Sequence, residues 1–146
     1  MSYLPEDIRT AIADRITAVS VAHSSFYRAP SPALDATWPA YILEYADNEN
    51  QWAGSSSDKK VFMFNLYVAY ILDPADPTSI ELAEKAISDA VGELYRVVFE
   101  KPGCLNLANG WVRASNVSWG YGGTEDIPLR MAQMQLEVTV HQDRSA

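Results

Sequence analysis

The sequence predicts an α+β domain: a mainly antiparallel sheet of about four strands packed against two helices, in the order α-β-β-α-β-β. Three observations predict it. From Leu129 to His141 the chain alternates, with Ala132, Met134, Leu136, Val138 and Val140 on one side and Gln133, Gln135, Glu137, Thr139 and His141 on the other, the pattern of a half-buried strand. Val61 to Leu72 is apolar on both faces except at Asn65, as a central strand covered on both sides requires. Between these two segments, Ile80, Ala83, Ile87, Val91, Leu94 and Val98 repeat at helical spacing as one apolar stripe.

The elements follow in order. Leu4, Ile8, Ile12, Ile16 and Val19 mark a first helix, with Pro5 suited to a first turn where its missing N–H costs nothing. Glu6 and Asp7 lie early on its polar side, where the positive end of the helix dipole favours them. Ser20 to Thr37, with Pro30 and Pro32, reads as an irregular connection. Pro39 to Tyr45 alternates Tyr41, Leu43 and Tyr45 with Ala40, Ile42 and Glu44, which suits a strand near a sheet edge with Pro at its beginning.

Ala46 to Lys60 then reads as a polar loop too long for a tight hairpin, and loops of more than about 12 residues inside compact domains are usually functional or disordered. Trp52 in its middle needs an apolar partner. Either it folds back on its own domain or it docks on another molecule. Lys59 and Lys60, beside Asp58, read as solvated residues at the entrance to the central strand.

Asp73-Pro74-Ala75-Asp76-Pro77 stops that strand, because each Pro removes a backbone donor and fixes φ. Thr78 and Glu81 have capping-box spacing for the second helix, read over Ser79 to Phe99 and ended by Pro102-Gly103. Gly110 to Tyr121 supplies Trp111, Val112, Ala114, Val117 and Trp119 for a strand that weakens into Gly120, Gly122 and Gly123, followed by a loop to Pro128.

Composition bounds what the chain does. At 146 residues and 48% hydrophobic, residues 1-146 form a single domain with one core. A net charge of -8 leaves no surplus of Lys and Arg to displace counterions from a phosphate backbone, which disfavours tight nucleic-acid binding. The single Cys104 excludes an internal disulfide framework and fits a reducing compartment. No signal segment or membrane-length apolar run is present, so a soluble, unprocessed protein is expected.

The chemical inventory points away from catalysis. His23 and His141 are far apart, with no second imidazole or thiol at ligand spacing, and a zinc site needs three or four converging ligands. Ser24 and Ser25 beside His23 are adjacent in sequence rather than aligned for proton transfer, and Cys104 has no nearby histidine. Asp73 with Asp76, and Asp47 with Glu49, are explained by turns and solubility. Gly120-Tyr121-Gly122-Gly123-Thr124 lacks the lysine of a phosphate-cradling loop and reads as a flexible loop; Asn116-Val117-Ser118 matches a glycosylation acceptor without a secretory setting. The expectation is no catalytic, cofactor-binding or metal-binding residue.

From Leu4 to Gln142 this order of elements, in a small acidic chain, resembles the tail terminator and tail-completion (head-tail joining) proteins of long-tailed bacteriophages. The resemblance rests on pattern and size: the first helix, Pro39 to Tyr45, the polar stretch to Lys60, Val61 to Leu72, Ser79 to Phe99, and the alternating end. It implies a virion protein of the tail or neck, assembled in the host cytoplasm as a hexameric ring that caps the tail tube and ends its polymerisation. The implied partners are other copies of the chain, the tail-tube protein and a head-side connector protein, with no membrane and with DNA only passing through the lumen.

On that reading Gln51, Trp52, Lys59 and Lys60 are a candidate subunit or partner interface. Gln133, Gln135, Glu137 and Thr139 are a candidate ring or lumen face. Two alternatives stand beside it: another phage neck or connector component, and a small-molecule or peptide-binding module in which Phe62, Phe64, Tyr67 and Tyr70 line a pocket.

Overall fold

The computed structural model describes residues 4–19, 25–26, 39–52, 57–73, 75–95, 103, 105, 107, 110–123, 125 and 128–143, the side chains at 17–19, 25–26, 47–52, 57–58, 116 and 142–143 excepted. Helix α1 (Pro5–Val19) is followed by β1 (Ser25–Phe26), β2 (Ala40–Trp52), β3 (Ser57–Ile71), α2 (Pro77–Glu93), β4 (Gly110–Gly123) and β5 (Pro128–Asp143). The strands form one five-stranded sheet in the order β1-β2-β3-β5-β4. Every neighbouring pair is antiparallel except β1, which runs parallel to β2. The architecture is the predicted α+β fold with a mainly antiparallel sheet.

Both helices cover the same face of the sheet. Ile8, Ile12 and Ile16 of α1 and Ile87, Ala90 and Leu94 of α2 share a core with Tyr41 and Leu43 of β2, Phe62, Phe64, Leu66 and Val68 of β3, and the Ala132-to-Val140 side of β5. Each Leu, Val or Ile buried there contributes roughly 1.5–3 kcal/mol. Tyr45 opposes Phe64 across the β2–β3 pair, with the rings edge to face at 5.3 Å. The alternation read in β5 is thus the inner face of the sheet, in full.

The polar stretch between β2 and β3 differs from the expected loop. It is the outer half of a long hairpin: Asp47 pairs with Met63, Glu49 with Val61, Gln51 with Lys59 and Trp52 with Asp58. A ladder is made by main-chain groups, so polar side chains do not forbid it, and a bulge between Tyr45 and Asp47 lets β2 continue in a new register. The segment read as wholly irregular also contributes β1, which holds Tyr41 and Ile42 from the other side.

Helix α2 starts differently from the capping-box reading. Asp76 is the N-cap, its carboxylate accepting from the Thr78 amide at 3.0 Å and the Thr78 hydroxyl at 2.7 Å, with Pro77 opening the first turn. Asp73 accepts from the Ala75 amide at 3.0 Å, and the Ser79 hydroxyl bridges the Asp73 amide and carbonyl. Both aspartates therefore serve the turn. The buried stripe is Ser79, Ala83, Ile87, Ala90 and Leu94, while Ile80, predicted inside, is 49% exposed because it lies on the flank of the helix. Leu4, expected on the apolar side of α1, is also exposed.

The glycine-rich segment is strand rather than loop. Gly120, Gly122 and Gly123 pair with Met131, Leu129 and Pro128 at the end of β4. A Cβ on Gly122 would lie 2.4 Å from the Met131 sulfur, so glycine there admits the close approach of the thioether. Gly123, at φ 82°, turns the chain in the left-handed region where glycine is favoured.

Candidate functional site: the open sheet face and the β4 edge

Strand alternation sends the remaining side chains to the face that α1 and α2 leave uncovered. Glu44, Asn65 and Gln135 stand in register across β2, β3 and β5, and the Asn65 amide donates to the Glu44 carboxylate at 3.5 Å. The next row is Ile42, Tyr67, Gln133 and Ser118. On the other side of the Asn65 row, Glu137 lies between Met63 and Arg113, with the Arg113 guanidinium 3.5 Å from its carboxylate. The middle of this face is therefore neutral amides and hydroxyls, flanked by the Glu44 carboxylate and by the Glu137–Arg113 ion pair.

Its ends are apolar. Ile42, Ala69 and Leu129 form a second buried cluster, with Tyr67 and Met131 packed against it. At the opposite end Val61 and Thr139 are buried, so Thr139 does not share the solvent-facing role expected of it. Gln133 and Glu137 are half-buried, and Gln135 is exposed. Burial pushes the Tyr67 phenol above its ordinary pKa, and the adjacent Glu44 carboxylate adds to this by its charge and by accepting the phenol's hydrogen bond.

A shallow pocket of about 180 Å³ opens on this face, lined by Tyr67, Met131 and Gln133 with Ser118 to Tyr121 of β4. The pocket imagined from the aromatic residues of β3 does not form. Phe62 and Phe64 are buried in the helix-covered core, and only Tyr67 faces the cavity, because odd and even positions of a strand point to opposite sides.

The outermost strand, β4, is the part that sequence reasoning passed over. Trp111 is 41% exposed, Trp119 43% and Tyr121 69%, all on this one strand. Arg130 of β5 holds its distal end: the guanidinium pairs with Glu84 of α2, donates to the Gly120 carbonyl at 3.0 Å, and lies 5.4 Å from the Trp119 ring and 4.5 Å from the Tyr121 ring. Tyr95, whose phenol burial also pushes upward in pKa, donates to the Ser115 carbonyl at the bulge between Ala114 and Val117. The aromatics of β4 were visible in the sequence, but no local pattern marked them as exposed.

Lys59 and Lys60 lie within the paired part of β3, half-buried, not beside a free loop. The backbones of Gln51 and Trp52 lie in β2, but their side chains are outside the described residues, as are His23, Ser24 and Cys104. The His141 ring lies against Trp111 with centroids 5.4 Å apart and the ring planes tilted by 37°. Among the described residues, no group of three His, Cys, Asp or Glu side chains converges, and no helix is long and apolar enough to cross a membrane. No family model matches the chain, and no curated protein matches it either.

Proposed function

We propose that this chain is a structural virion protein of a long-tailed bacteriophage, a ring-forming subunit that caps the tail tube, stops its growth and offers the surface that joins the head. The observation that carries the reading is the one-sided sheet: both helices pack on one face, and among the described residues no helix covers the other, which carries Glu44, Asn65, Gln133, Gln135 and Glu137. In a ring of six, that face lines the lumen. Neutral amides and carboxylates, on copies that each carry -8, let a DNA duplex pass without binding it.

The partners are those that the resemblance implies: neighbouring copies of the chain, a tail-tube protein and a head-side connector, with assembly in the host cytoplasm. A small-molecule module is the lesser reading, since the pocket found among the described residues, about 180 Å³, falls below the roughly 300–1,000 Å³ of common ligand sites. Light scattering on the purified chain, alone and with tail-tube protein, tests the proposal. A mass near six subunits supports it, and a monomer under both conditions refutes it.

A further inference from the structure

We propose that the shallow pocket between Tyr67, Met131 and β4 binds a single neutral aromatic ring that carries a carboxamide. The site needs only one copy of the chain, so it stands or falls apart from the ring reading. Its shape comes from two glycines. Met131 is the cross-strand partner of Gly120, yet its sulfur leans over Gly122, where a Cβ would lie 2.4 Å away. At Gly120 a Cβ would meet nothing within 4 Å, and the space left there by the missing side chain opens into the pocket.

Volume sets the size of the ligand. A cavity of about 150 Å³ takes benzene, so one of about 180 Å³ holds one substituted ring and excludes a nucleotide. Charge narrows the class further. No residue lining the pocket is charged, so a charged ligand would lose its water without gaining an ion pair. The walls decide the rest. The Met131 thioether and the Tyr67 ring both suit an aromatic neighbour. Half-buried Gln133 brings an amide that donates and accepts, and Ser118, its partner across the β4–β5 ladder, adds a hydroxyl. The Tyr67 phenol gives its hydrogen to Glu44, which leaves its oxygen as an acceptor. A carboxamide answers this set, since its N–H groups suit the Gln133 and Tyr67 oxygens and its carbonyl suits the Gln133 N–H groups or the Ser118 hydroxyl.

Benzamide is the probe, titrated into the full chain and followed by NMR at the Met131 methyl and the Gln133 side-chain amide. Both signals should move along one saturable curve with a Kd of about 1 mM, as suits so small a ligand. Gly120 does not have the left-handed backbone that only glycine favours, so Gly120→Leu should fill the open space, weaken binding about tenfold or more, and leave Tm within about 2 °C. Toluene, without the amide, and benzoate, with a charge, should each bind about tenfold more weakly. Shifts that rise linearly with benzamide overturn the proposal, as does saturable binding that Gly120→Leu leaves unchanged or toluene that binds as tightly. If Gly120→Leu lowers Tm further than expected, Gln133→Leu makes the same comparison: about tenfold weaker benzamide binding with toluene unaffected supports the proposal, and unchanged benzamide binding overturns it.

Discussion

Replacing Arg130 by methionine isolates the clamp that ties the β4 edge to the helix layer. The stem is kept in volume and the guanidinium is lost. The pair with Glu84 is worth only about 0.5 kcal/mol, because the Glu84 side chain is 42% exposed and screened. The charged hydrogen bond to the Gly120 carbonyl is worth about 1.5 kcal/mol at a site where Arg130 is 14% exposed. The two ring contacts add about 0.5 kcal/mol each, since Trp119 and Tyr121 are both solvent-exposed.

Arg130→Met should therefore cost about 2–3 kcal/mol in urea unfolding of the dilute protein, which for a chain of this length is a fall of roughly 5–10 °C in Tm. Glu84→Gln alone should cost about 0.5 kcal/mol. A loss below about 0.5 kcal/mol for Arg130→Met, indistinguishable from an ordinary surface change, would refute the assignment of Arg130 as the clamp of this edge.

Other predictions concern the fold and the open face. Asp76→Ala should cost about 1 kcal/mol in urea unfolding by removing the α2 cap, and Glu81→Ala should cost less because it caps nothing here. Leu136→Ala, at a fully buried position in the core under the helices, should cost about 2–5 kcal/mol. Ultraviolet titration should find Tyr67 ionising above 10.0; its raised folded-state pKa means a stability contribution that is full below that pH and lost as pH climbs past it. Glu44→Gln should bring the Tyr67 titration part of the way back, burial being the larger cause.

Much of the fold was legible because burial imposes period. The inward side of β5 and the Ile8, Ile12 and Ile16 stripe of α1 each face one core, and so each writes its spacing into the sequence. The β2–β3 hairpin was not legible beyond Tyr45, since a strand of Asp, Asn, Glu and Gln is held by its ladder and leaves no apolar pattern. The cap of α2 was misplaced by two residues because Pro77 was counted as part of the turn, although proline suits a first helical position.

The site was harder to read than the fold. Alternation put Gln133, Gln135 and Glu137 on the uncovered face, but Thr139 shares their parity and is buried, a consequence of what surrounds the end of the sheet rather than of strand period. Tyr67 was grouped with Phe62 and Phe64, from which the pleat separates it. The β4 edge escaped notice because its importance comes from its place in the order β1-β2-β3-β5-β4, and no local pattern encodes which strand lies outermost.

The central claim is that this chain works as a ring with an open polar lumen. Electron microscopy of the protein purified after mixing with tail-tube protein tests it most directly. The account predicts closed six-fold rings with a central hole, alone or seated on the ends of tubes of limited length. Dispersed single particles beside tubes that keep growing would contradict it.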